Sequence, residues 1–137
     1  MNAIRILFKT GRFNLSKVSE NFINPCCFGE DLAAWLRQEL VERQVQTRES
    51  YQEDWGWELP ANIDGQSCYL CVSGNAEETN AKPDAGEWGI IVEKKRSIFQ
   101  RITGKGKITR DDGMLGRVSK ILEGEPTIRG VHLEELR

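Results

Sequence analysis

Apolar and polar residues alternate over Ala3–Lys9, with Ile4, Ile6 and Phe8 on one side and Arg5 and Lys9 on the other. That is the period-two pattern of a half-buried strand, and Gly11 closes it. Residues 12–24 are polar and irregular up to Phe22-Ile23, a candidate short extended piece, and Asn24-Pro25 marks a turn. The period then changes. Phe28, Leu32, Trp35, Leu36 and Leu40 recur at helical spacing on one face. Glu30 and Asp31 stand in the first turn, where carboxylates complement the positive helix end, and Glu39 with Arg43 makes a favourable i, i+4 pair on the solvated side. This predicts the first main helix.

Alternation returns at Val45–Tyr51, with Val45, Thr47 and Tyr51 on one face, and again at Trp55–Leu59; the polar Gln52-Glu53-Asp54 between them predicts a hairpin turn or a bulge. Pro60 to Gly65 reads as a turn, Gln66–Ser73 as a strand, and 74–86 as a long polar surface loop. Glu87–Glu93 is a strand with Trp88, Ile90 and Val92 on one face. Ser97 can cap a short helix whose apolar face is Ile98, Phe99 and Ile102, broken by Gly104-Lys-Gly106. Asp111 or Asp112 opens a second main helix that buries Leu115, Val118, Ile121 and Leu122, and Gly124 and Pro126 stop it. Thr127–Leu133 is a last strand, with Glu134-Glu135 a frayed end.

The order strand, helix, four strands, short helix, helix, strand predicts an α+β two-layer sandwich: a mostly antiparallel sheet of five to six strands with two main helices on one face. Beta strand Ala3–Lys9, if set beside a strand reached through a helix, would add one parallel pair. At 137 residues, with no repeat, low-complexity tract or separating linker, the expectation is one domain over 1–137. No apolar run approaches the roughly 20 residues needed to span a bilayer. Residues 1–8 lack the features of a signal peptide, so the cytoplasm is the expected compartment, with no membrane partner.

Composition adds little until it is mapped onto the chain. The net charge is −2, which by itself demands neither nucleic acid nor a membrane. Between Glu20 and Asp64, however, ten acidic residues face three basic ones, a net of −7, whereas Lys94–Arg110 carries +7. The basic residues are Lys94, Lys95, Arg96, Arg101, Lys105, Lys107 and Arg110. Two opposed charge regions either neutralise each other across the fold or steer and orient a partner.

Of the four cysteines, Cys68 and Cys71 have half a zinc-site spacing, which Cys26-Cys27 could complete. A buried strand over 67–73 sends Cys68 and Cys71 to opposite faces, and no glycine or proline separates them to form a metal-binding turn. Free core thiols are therefore expected, and no metal or cofactor. A Cys26 or Cys27 nucleophile at a helix start would need His132, the only histidine, as its base; that residue is expected on a terminal strand without a catalytic task. Gly104-Lys-Gly-Lys107 lacks the spacing of a phosphate-binding loop, and no Ser-centred nucleophile elbow occurs.

Glu53-Asp-Trp-Gly-Trp57 stands out, with Trp55 and Trp57 on one face if the chain is extended. Together with Asn24-Pro-Cys-Cys-Phe-Gly-Glu-Asp-Leu-Ala-Ala-Trp-Leu36, it resembles a group of small bacterial proteins usually labelled hypothetical. The resemblance covers most of the chain and implies no activity, cofactor or catalytic residue. The residues themselves suggest a non-catalytic protein–protein interaction protein, in a specific version an immunity- or inhibitor-like one. Its binding residues would be Glu53, Asp54, Trp55 and Trp57 on an acidic face and Lys94, Lys95, Arg96, Arg101, Lys105 and Lys107 on a basic one. A homo-oligomer joining the two faces is open. The alternative is a small enzyme using Glu53, Asp54 and Glu58, with Glu49 nearby, on a small polar substrate. A second alternative is nucleic-acid binding through 94–110, which lacks the aromatic interleaving of a dedicated reader.

Overall fold

A computed structural model of the chain describes residues 3–13, 28–75 and 86–136. The expectations for Phe22-Ile23, Asn24-Pro25, Cys26-Cys27 and most of the 74–86 loop lie outside the described residues. In chain order the elements are β1 (Ala3–Lys9), α1 (Glu30–Glu42), β2 (Gln46–Thr47), β3 (Tyr51–Glu53), β4 (Gly56–Ile63), β5 (Gln66–Asn75), β6 (Glu87–Lys94), α2 (Ile98–Thr103), α3 (Gly113–Glu123) and β7 (Arg129–Leu136). The fold is α+β. One sheet runs in the order β2-β4-β5-β6-β1-β7, and β3 shares with β2 the outer edge of β4. Every described pairing is antiparallel, so the possible parallel pair does not form: β1 pairs antiparallel with both β6 and β7.

One face of the sheet carries the core. Ile4, Ile6 and Phe8, Trp57, Leu59 and Ala61, Cys68, Leu70 and Val72, and Trp88, Ile90 and Val92 alternate inward from four adjacent strands. Leu32, Leu36 and Leu40 of α1 and Leu115, Val118, Ile121 and Leu122 of α3 close over them. Each of those α3 residues is one that helical spacing alone predicts. Asp112 caps α3 by accepting from the Met114 and Leu115 amides. Arg12 ties the layers together by pairing with Glu125 at 2.6 Å and lying over the Trp35 ring at 5.3 Å.

The sheet has seven strands, not five to six, because Val45–Tyr51 is not one strand. Gln46 and Thr47 face Asn62 and Ala61, whereas Tyr51, Gln52 and Glu53 face Glu58, Trp57 and Gly56. Three residues of the outer edge, 48–50, therefore oppose only Leu59 and Pro60, which is a bulge. This also explains why Pro60 lies inside β4 rather than in a turn. The Arg48 amide donates to the Pro60 carbonyl at 3.0 Å. An extended residue directs its N–H and C=O to the same side, so the N–H that proline lacks is the one that would face the bulge. The turn comes later, as a two-residue hairpin at Asp64-Gly65 with φ of 50° and 81°, the positive values that an Asp-Gly pair supplies at least cost.

At the C-terminus the expected fraying is absent. β7 continues to Leu136, Glu134 pairs with Arg5 at 2.5 Å, and Glu135 pairs with Arg110 at 3.4 Å.

Candidate functional site

The β3–β4 hairpin turns at Asp54-Trp55, between the partners Glu53 and Gly56. Its turn therefore includes Trp55, and the indoles of Trp55 and Trp57 do not share a face. Trp57 is 4% exposed, on the core side opposite Val72, whereas Trp55 is 45% exposed at the tip. Gly56 separates them with φ of 157°. Tyr51, on the same hairpin, is 42% exposed and donates its hydroxyl to Glu58. The Glu58 carboxylate and the adjoining Glu53 push the tyrosine pKa up, the hydrogen bond being the largest cause and burial the next.

Glu58 points to the sheet face opposite the core, where the strand register sets it beside Cys71. The Cys71 sulfur lies 3.8 Å from a Glu58 oxygen. Cys68 and Cys71 do occupy opposite faces, as their spacing implied. Burial first, and then the carboxylates of Glu58 and Glu93, push the Cys71 thiol up to about 12. Burial likewise moves Cys68 up to about 11. Neither is poised as a thiolate nucleophile at neutral pH. His132 sits exposed on β7, its Nδ1 2.7 Å from the Gly130 carbonyl. Among the described residues no group of three or more His, Cys, Asp or Glu side chains is placed to hold a metal ion.

These thiol shifts carry a pH prediction. A group whose folded pKa lies above its unfolded value of 9.0 contributes stability below that value and loses it as the pH rises toward the folded pKa. The thermal midpoint is therefore expected to fall as the pH rises from about 9 toward 11. A Cys68→Ala, Cys71→Ala double variant should fall less steeply over that range. Parallel curves for the two proteins would show that the thiols are not held in this way.

Two clefts flank the bulged edge. The smaller, of about 730 Å³, lies between α1 and β3 and is lined in part by Glu30, Arg37, Val41, Glu49, Tyr51 and Trp57. The larger, of about 990 Å³, runs along β2 and β4 and brings together Arg37, Arg48 and Lys95 with Glu49, Tyr51 and Tyr69. Arg37 fixes α1 to this edge by donating to the Thr47 hydroxyl at 3.1 Å. Neither cleft gathers the carboxylates that the enzyme alternative needs. Only Glu49 of the set Glu49, Glu53, Asp54 and Glu58 lines one, while Glu53 and Asp54 stand at the hairpin tip and Glu58 is engaged by Tyr51. Arg37, Arg48 and Val41 were not foreseen as site residues. Their signal, polar and apolar positions on the outer side of α1 and in a bulge, is the ordinary look of a solvated surface.

The basic segment is held at both ends. Lys94 pairs with Asp112 at 3.0 Å, and Arg110 with Glu135. Between them α2 forms with a complete capping box, Ser97 accepting from the Gln100 amide and Gln100 accepting from the Ser97 amide. Its expected apolar face exists but covers no core. Ile98, Phe99 and Ile102 are 77%, 69% and 79% exposed. Arg96 donates to the Gln100 carbonyl at 3.2 Å, and Lys95 lines the larger cleft. The acidic hairpin and the basic helix are thus two separate exposed surfaces, with no ion pair between them among the described residues.

Among the described residues, no helix is long and apolar enough to cross a membrane. No protein-family model, curated protein or solved structure matches the chain.

Proposed function

We propose that this protein works by binding another protein through the acidic β3–β4 hairpin, without chemistry of its own, as a small bacterial protein of the cytoplasm. The supporting observation is the exposure of Tyr51 and Trp55 within residues 49–64, a run holding Glu49, Glu53, Asp54, Glu58 and Asp64 and no Lys or Arg. Aromatic side chains set among like charges are the composition of a recognition surface, where the rings supply contact area and the charges supply steering and orientation. A specific version is immunity- or inhibitor-like: the hairpin would block a basic target such as a nuclease. The carboxylates favour this over the enzyme alternative, because of Glu49, Glu53, Asp54 and Glu58 only Glu49 lines a cleft.

Affinity capture from the native host, followed by identification of the captured protein, tests the reading. The Glu53→Lys, Asp54→Lys variant is expected to lose most of the captured partner while keeping the wild-type circular dichroism spectrum. Undiminished capture by that variant would sink the proposal. Binding to nucleic acid through 94–110 would instead appear as affinity for RNA or DNA that falls steeply with salt.

A further inference from the structure

We infer that helix α2 of one copy of this chain packs on the β3–β4 hairpin of a second copy, an inference that rests on the hairpin being a recognition surface. Among the described residues the exposed large apolar side chains are Val41, Tyr51, Trp55, Ile98, Phe99 and Ile102. They fall into two groups. Tyr51 and Trp55 lie on the hairpin, with Val41 lining the cleft beside Tyr51, and the other three lie on α2.

Each group sits in a run of one sign. Residues 49–64 contain carboxylates and no base, and residues 94–110 contain seven bases and no carboxylate. Lys94 and Arg110 are spent within the fold, but Lys95, Arg96, Arg101, Lys105 and Lys107 make no ion pair to a described residue. The capping box makes α2 a properly terminated helix, so its apolar residues are held outward rather than left behind by a frayed end. An apolar patch ringed by polar residues on a well-formed element is the usual mark of an interface.

The chemistry of the occupant follows from the patch. Two of its three apolar groups are isoleucines, which offer no stacking surface to a base, so an RNA strand would use little of it. A partner must instead be apolar and acidic together, and the hairpin of the same chain is both. Tyr51 and Lys95 line one cleft, which runs from the β2–β3 edge of the sheet to the end of β6 from which α2 departs. A two-fold axis beside that cleft would carry each helix to the other hairpin at once, closing the assembly at a dimer.

Sedimentation equilibrium of the full chain tests this. The wild type is expected to dimerise at low ionic strength and to dissociate as salt is raised. A helix-disabled variant, Phe99→Asp with Ile102→Ser, and a hairpin-disabled variant, Glu53→Lys with Asp54→Lys, should each associate about tenfold or more weakly. Mixed in equal amounts they should form a heterodimer, because one intact helix then meets one intact hairpin. The milder Glu53→Gln, Asp54→Asn pair repeats the hairpin arm if charge reversal perturbs folding. A wild type that stays monomeric, or a mixture no more associated than its parts, overturns the inference. A monomeric wild type whose hairpin still captures a foreign basic protein would overturn it while leaving the proposed function standing. A monomer that binds phosphatidylserine-containing vesicles through Phe99 would assign α2 to a lipid surface instead.

Discussion

Replacing Trp57 by alanine is expected to cost about 3–5 kcal/mol, whereas replacing Asp54, three positions earlier, should cost about 1 kcal/mol at most, the range of a single exposed polar interaction. The contrast follows from which side of the hairpin each residue occupies. Trp57 lies opposite Val72 on the core face and belongs to the same buried cluster as Leu59, Leu70 and α1. Truncating it removes a large apolar surface from that cluster and leaves a cavity between α1 and the sheet, which backbone held by β5 on one side and β3 on the other cannot collapse to fill. Asp54 is exposed in the turn, where alanine disturbs neither the core nor a ladder hydrogen bond. Urea unfolding with the slope left free measures both. Comparable losses at the two positions would show that the hairpin is not divided into a buried strand and an exposed tip.

The sheet was legible wherever alternation ran without interruption. β1 and β6 each show a period of two, and α1 and α3 a helical period, so their core faces follow from the chain alone. β5 is apolar at every position from Cys68 to Val72, and only its register with β4 and β6 decides its core face. The outer edge was not legible, for a reason of geometry. A bulge shifts the register by one residue, and a one-residue shift reverses which side chains face the core. Thr47 and Tyr51 therefore look like members of one alternation although they belong to two strands. Pro60 misleads in the same place: it signals a turn unless the bulge opposite is already known to leave its missing N–H unneeded. The tip of the hairpin was misplaced because Trp55, a strong strand former, occupies a turn position.

The two charged runs were visible as composition, but composition could not say whether they cancel. Their separation depends on Asp112 and Glu135 taking up the first and last bases of the segment, both pairings made by the fold rather than by proximity in the chain. The exposure of α2 was hidden for a related reason. Ile98, Phe99 and Ile102 have the spacing of a core-facing stripe, and spacing alone does not reveal whether a core lies beneath it. The feature bearing most on function was thus the one on which the pattern and the packing part company.

Gly56→Ala is expected to be at least as damaging as the loss of Trp57, costing about 3 kcal/mol or more, through a different cause. A Cβ built on Gly56 would lie 2.1 Å from the Val72 carbonyl oxygen and 3.1 Å from its carbon, both backbone atoms that no rotamer change can move. The φ of 157° adds strain for any L side chain. Relief would require β4 to lift from β5 at the Trp57–Val72 pair, which draws Trp57 out of the core and re-aims the Asp54-Trp55 tip. The substitution should therefore weaken hairpin-dependent binding as well as stability. Gly116→Ala supplies the control: that glycine lies exposed within α3 with nothing within 4 Å of the added carbon, and alanine there should stabilise by about 0.5–1 kcal/mol. Thermal unfolding of the two variants side by side separates a missing side chain that the fold requires from one that it merely lacks; a Gly56→Ala protein as stable as the wild type would mean that the hairpin does not press on β5 as described.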